Sequence, residues 1–332
     1  MTEATGSREP GTEKKEHGTA ARGGLAPFRL KPWFSERVWG RTDLRPWYEA
    51  TGTDKPVGEA WLTGPESVVD TGPLAGRTLA EVAREFGPEL LGGVGEAEFP
   101  LLVKILFPSD KLSVQVHPDD AQAQAMGEAR GKTECWYVLE AEPGAAVALG
   151  MKPEATPDRV RSAIADGTLE SLMTMVPVEG GDMVFVDAGT VHAIGPGVTL
   201  LETQQTSDIT FRMFDYGRPR DLHVEQGLAV MRSATRAGKV LSRAMDGWTR
   251  LIEEQYFTVD RFDLAGNSEV AVAMAGPGCL VGLSGSAAVL SGVGQIAMER
   301  GQAIVVPAGQ TVTVRAEAGV SFARCVAPAS AV

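Results

Sequence analysis

The 332-residue sequence is poor in cysteine, histidine and aromatic side chains, with 3 Cys, 4 His and only 6% Phe, Trp and Tyr. Three cysteines far apart (Cys135, Cys279 and Cys325) cannot form the even-numbered disulfide framework of a small secreted domain and favour a reducing compartment. No charge-free apolar run reaches the roughly 18 residues of a membrane-spanning helix. The opening stretch MTEATGSREPGTEKKEHGTAARGG has no apolar h-region, so no secretory signal is expected and the cytoplasm is the expected compartment. Cations are also in deficit: 31 Lys and Arg against 43 Asp and Glu leave a net charge of −12. That balance argues against nucleic acid, which needs a basic face. A small phosphorylated ligand is not excluded, since a few well-placed cations can hold one phosphate. The length favours two domains, because single cores stop growing near about 250 residues.

Glycine and proline, by contrast, are plentiful (39 and 20). From residue 27 onward they punctuate short apolar runs, among them 101–107, 135–139, 183–186, 270–273 and 303–306. Such runs at short intervals predict a mainly β protein, a sandwich or barrel. Helices are expected at 78–86, with Thr78 as cap, and at 119–126, 157–165 and 222–231. Residues 1–26 lack apolar periodicity and read as a disordered tail, with His17 inert within it. Residues 233–239 read as a linker, and the following hundred are almost purely β in texture. The Met-rich stretch 172–175 is expected to pack in a helix. The tryptophans are expected at core edges, and Cys135 as a small buried hydrophobe.

An internal repeat divides the chain. Gly181-DMVFV-Asp187-Ala-Gly189-Thr-Val-His192 aligns with Gly301-QAIVV-Pro307-Ala-Gly309-Gln-Thr-Val312. Each copy reads as a glycine turn, an apolar strand, a second turn and another strand, so the halves are two versions of one β-unit. His192 is replaced by Val312 in the second copy, so only the first could ligate a metal there.

The first copy also carries the polar residues that need explaining. In SVQVHP the strand period of two puts Ser113, Gln115 and His117 on one face, opposite Val114 and Val116. In KTECWYV, Lys132, Glu134 and Trp136 share a face. Polar groups turned into a barrel are costly unless something satisfies them, and a metal ion does so. Two imidazoles, a carboxylate and an amide oxygen form an N/O set suited to zinc or another divalent transition metal.

The segments FPLLVKILFPSDKLSVQVHPDD, GKTECWYVLEA, VDAGTVHAIGPG and LLETQQTSDITFRMFDYGR together resemble the type I mannose-6-phosphate isomerases, in their short bacterial form, of the cupin superfamily. SERVWGRTDL and PVGEAWLTG are similar to that family's N-terminal strands. The resemblance implies two cupin-like jelly-roll domains with helical insertions in the first. The metal-binding catalytic domain would span 27–238 and a metal-free one 239–332. It further implies one zinc per chain on Gln115, His117, Glu134 and His192. Arg212 would be the active-site arginine, with Lys132 and Glu202 as catalytic groups and Ser113 and Lys104 against the substrate or its phosphate. The chain departs from the family pattern at Asp187 and Pro196, both turn positions, and lacks the large helical insertion of longer members.

The implied reaction interconverts mannose 6-phosphate and fructose 6-phosphate by moving a proton between C2 and C1 through an enediol. A divalent ion would polarise the carbonyl and Arg212 would stabilise the anionic intermediate. Glu202 is the candidate base; Lys132 could assist ring opening or hold the phosphate. Rival readings are another metal-cupin sugar-phosphate isomerase or oxygenase, or a non-catalytic sugar-phosphate sensor. Gln115 as fourth ligand speaks against the oxygenase, which prefers two His and one carboxylate. His223, at the start of a helix, reads as structural. Monomer and dimer are equally compatible, and neither nucleic acid nor a membrane is an expected partner.

Overall fold

In the two large antiparallel sheets, apolar residues pack on both faces, which is why their central strands read as unbroken apolar runs. In the strand Leu101–Leu106, all six residues are buried. Leu101, Val103 and Ile105 point to a core shared by both halves of the chain, while Leu106 joins the interior of the first. The strand Glu134–Ala141 alternates likewise, with Cys135 and Tyr137 in the shared core and Trp136 and Val138 inside the first unit. Cys135 is thus a small buried hydrophobe, and all three cysteines are free and buried.

The structure, a computed structural model, describes residues 24–93 and 98–329. The tail expected at 1–26, with His17, lies outside the described residues as far as residue 23. The end of that tail departs from expectation: Leu25 is buried, and its carbonyl accepts the Gln310 side chain at 2.7 Å.

The first unit pairs a seven-stranded sheet, in the order 238–240, 183–186, 134–141, 198–205, 101–106, 57–63 and 33–41, with a five-stranded one. The smaller sheet runs 211–214, 114–116, 192–194, 146–151, 173–177. The second unit has a seven-stranded sheet centred on Gly278–Ser284 and Val320–Val326, and a four-stranded sheet built from 268–273, 311–316, 286–291 and 294–299. Together they form the expected mainly β, two-unit cupin-like architecture. One strand trades places: Phe28–Leu30, near the start of the described chain, pairs with Ala303–Val306 of the second unit.

The four expected helices form, the first on its predicted Thr78 cap. Thr78 and Glu81 form a reciprocal capping box on Leu79–Glu85, and Asp119 with Gln122 does the same on Asp120–Ala125. Pro157–Ala165 and Val224–Val230 cover the outer face of the smaller sheet, where Val114 and Val116 contact them.

Three expectations are corrected. The supposed linker 233–239 ends in a strand, because Gly238–Val240 hydrogen-bonds along Met183–Phe185 and closes that sheet edge. The Met-rich stretch is not helical beyond the short turn Leu169–Leu172: Met173–Pro177 pairs with Ala146–Met151, an available sheet edge outweighing helix propensity. Of the tryptophans, Trp33 is 53% exposed rather than packed at a core edge.

The repeat is visible in three dimensions. Gly181 and Gly301, at φ 100° and 76°, and Gly189 and Gly309, at φ 87° and 73°, make the turns on either side of the strands 183–186 and 303–306. Asp187, one of the family departures, ties its turn by accepting from the Thr190 hydroxyl at 2.9 Å and the Arg236 amide at 3.0 Å.

Candidate active site

Strand register brings the predicted residues of the first unit together. His192 lies opposite Gln115. Across the large sheet a row runs Trp61, Lys104, Glu202 and Trp136, each opposite the next. Glu134 lies two residues along from Trp136 on the same face, as the period of two requires. Donor atoms of His117, Glu134 and His192 fall within 4.8 Å of one another, and all three side chains are buried.

His192 Nε2 is 3.2 Å from one Glu134 oxygen and His117 Nε2 is 3.7 Å from the other. Each imidazole donates its Nδ1 proton to a carbonyl, His117 to Ile209 at 2.8 Å and His192 to Thr190 at 2.9 Å. Carbonyls only accept, so both Nε2 atoms present lone pairs, that of His117 accepting from Lys132 Nζ at 3.3 Å, and the Nδ1 bonds are of the kind that orient metal-bound histidines. Gln115 brings its amide to within 3.3 Å of His192 Nε2. Both oxygens of Glu134 are buried without a hydrogen bond. Lys132 Nζ lies 2.9 Å from one of them, close enough for an ion pair but not aligned as a hydrogen bond. A buried carboxylate with an ion pair but no hydrogen bond, facing two imidazole lone pairs, fits a divalent cation.

The electrostatics agree. Burial first, then the nearby Lys132, holds His117 well below the usual histidine range; burial pushes His192 down to about 4. Both rings are therefore neutral, as ligation demands. Burial opposes the charge on Lys132, but Glu134 and Glu202 outweigh it and keep its ammonium above the ordinary range. Glu202 is raised to about 7 by burial and by Glu134, against the pull of Lys132 and Lys104. It accepts the Trp136 indole N–H at 3.2 Å and lies 3.7 Å from Lys104 Nζ.

Lys104, Ser113, Gln115, Lys132, Glu202 and Arg212 line one cleft of about 510 Å³, and Gln115 and Lys132 join it to His117, Glu134 and His192, which lie behind its wall. His223 proves to be backbone support for Arg212, its amide donating to the Arg212 carbonyl at 2.7 Å and its ring accepting the Arg212 amide at 3.2 Å. Sequence reasoning missed four polar neighbours. Asp208 lies 3.4 Å from Lys104, and Glu59 accepts from Trp61 at 2.7 Å and from Arg37 at 3.2 Å. Arg220 shares the cleft with Arg37 and Arg212. Glu59 and Trp61 were legible, since in VGEAWLT the period of two puts them on one face; Asp208 and Arg220 sit in irregular segments without periodicity.

Residues 27–151 match the family model described as the catalytic domain of type I phosphomannose isomerase. The chain is 36% identical over 295 residues to a mannose-6-phosphate isomerase of Streptococcus mutans, covering 85% of this chain and 92% of that protein. The chain belongs to the type I phosphomannose isomerase family. It is also 37% identical over 260 residues to the Bacillus subtilis mannose-6-phosphate isomerase ManA, covering 74% of this chain and 81% of ManA. The crystal structure of a mannose 6-phosphate isomerase from Bacillus subtilis superposes with a TM-score of 0.81 at 29% identity, over 91% of this chain and 99% of that one. As a type I phosphomannose isomerase, the chain places its four polar convergence points, 115, 117, 134 and 192, in one unit only.

Proposed function

We propose that this chain interconverts mannose 6-phosphate and fructose 6-phosphate, as a zinc-dependent aldose–ketose isomerase of the cytoplasm. The observation that carries the reading is the buried Glu134 carboxylate, without a hydrogen bond, facing the Nε2 lone pairs of His117 and His192. Those three residues and the amide oxygen of Gln115 would hold the ion, the Gln amide turning over to offer its acceptor. When bound, a divalent ion supplies polarisation of the sugar carbonyl and the neighbouring hydroxyl.

Glu202 takes the proton from C2 of the open-chain aldose and returns it to C1, while the proton of the C2 hydroxyl passes to the C1 oxygen, the enediol lying between the two transfers. A base with a pKa near 7 balances ionisation against basicity at neutral pH. Trp136 fixes one oxygen of that carboxylate, and Lys104 keeps the ionised form accessible. Arg212, with its permanent charge, stabilises the negative oxygen of the intermediate. Lys132, held protonated, donates to the ring oxygen as the sugar opens. Ser113 and Lys104 bind the substrate within the buried part of the cleft.

The test is conversion of mannose 6-phosphate by purified protein before chelation, after chelation and after zinc readdition. Turnover that chelation removes and zinc restores supports the reading. A folded, zinc-loaded sample without turnover sinks it.

A further inference from the structure

The cleft has two kinds of cation. Lys104 and Lys132 are 3% and 4% exposed and already committed, Lys104 to Glu202 and Asp208, Lys132 to Glu134. At the opener end, the side chains of Arg37 and Arg220 are 31% and 27% exposed. Arg212, opposite Gln115 and so between this group and the metal end, differs from both, because among the described residues it forms no ion pair. One of its terminal nitrogens donates to the Asp221 carbonyl at 2.9 Å, and its Nε is buried without an acceptor. Burial, and then the like charges of Arg220 and Arg37, pull its pKa down, as expected for guanidinium groups crowded around one space. The carboxylates nearby pair with Arg37, Arg218 and Arg220 and leave Arg212 uncompensated. Asp215 is shared between Arg218 and Arg220, Glu59 between Arg37 and the Trp61 N–H, and Glu36 is turned to Lys55 and Thr53.

We propose that Arg37 and Arg220, the two cationic neighbours of Arg212, form the subsite for the substrate's phosphate at the open end of the cleft. The assignment rests on the isomerase reading for its substrate, and substrate chemistry agrees with it. The reacting C1 and C2 must lie at the buried metal end, while the phosphate ester on C6 is at the far end of the carbon chain. A dianion meets there the charge of Arg212, which no carboxylate neutralises, flanked by two further guanidinium groups that can turn from their carboxylates to it, a planar donor geometry suited to phosphate. Ser113 and Lys104 then contact the carbon chain between the two ends.

The experiment compares wild type with Arg220→Gln, Arg220→Lys and Arg37→Gln in the full-length, metal-loaded protein. It measures inorganic phosphate binding by ³¹P NMR titration alongside KM and kcat for mannose 6-phosphate. Arg218 still neutralises Asp215 when Arg220 is lost, so folding should survive. Each Gln variant should weaken phosphate at least tenfold and raise KM about as much, with kcat within threefold of wild type, as for an interaction equal in ground and transition states. Arg220→Lys should recover part of the loss. Unchanged phosphate affinity in both Gln variants overturns the assignment, as does a fall in kcat with no change in phosphate binding. If wild type fails to isomerise mannose 6-phosphate yet loses phosphate with Arg220, the anion subsite stands and the isomerase reading falls.

Discussion

His192 faces Gln115 across paired strands in the first unit; at the corresponding place in the second, Val312 faces Val272. The match extends around the barrel. The Gly189 amide donates to the carbonyl of His117 and the Gly309 amide to that of Met274, while Glu134 lies opposite Val186 and Gly278 opposite Val306. Gln115, His117, Glu134 and His192 thus become Val272, Met274, Gly278 and Val312. The first set meets at a polar point; Val272, Met274 and Val312 are buried members of a continuous apolar core. A second row changes differently. Lys104 opposite Glu202 becomes Asp260 opposite Arg324, with the charges exchanged, and Asp260 bridges Arg324 and Arg250 at 2.5 Å each. One backbone therefore accepts a reactive interior or an inert one, and a few inward positions decide which.

The sharpest way to break the comparison is to give the first unit the second's residue. His192→Val should remove bound metal and lower kcat/KM at least about a thousandfold, read by metal analysis and the coupled isomerase assay. The fold should persist, because the equivalent site already accommodates valine. Retained stoichiometric metal would refute the ligand assignment. Next in size, Glu202→Gln should cost about a hundredfold or more in kcat. In wild type, activity should fall as pH drops through about 7, since protonated Glu202 cannot accept the C2 proton; the variant should lose that limb of the profile.

In the second unit, Asp260→Asn should leave KM untouched and destabilise by about 3 kcal/mol, because two arginines lose their buried partner. Denaturant titration measures this, and a change below about 1 kcal/mol would make the pair incidental. The smallest effect sharpens the contrast: Val312→His should cost about 2 kcal/mol through a buried imidazole lacking partners, and bind no metal beyond the first site. A second equivalent of zinc would show that the inert unit needs fewer changes than the register implies.

Much of this was readable beforehand because strand parity is a local property. Ser113, Gln115 and His117 alternate with valines, and Lys132, Glu134 and Trp136 alternate with Cys135 and Tyr137; the structure turns these sets inward and outward as the period requires. The helix cap at Thr78 was equally local. The strand at Gly238–Val240 was not, since its sequence has no apolar run and it exists only because the Met183–Val186 edge is open to it. The Met173–Pro177 strand failed for the same reason.

The sequence by itself determined the β character, the two-fold repeat, the inward faces and the residue types able to hold a metal. Those follow from periodicity and side-chain chemistry, which need only near neighbours. Tertiary structure alone decided which inward faces meet. Lys104 reaches Glu202 across 98 positions because Leu101–Leu106 pairs with Val198–Gln205, and the Arg37, Arg212 and Arg220 side chains share one cleft through strand pairings and a loop that no local pattern encodes.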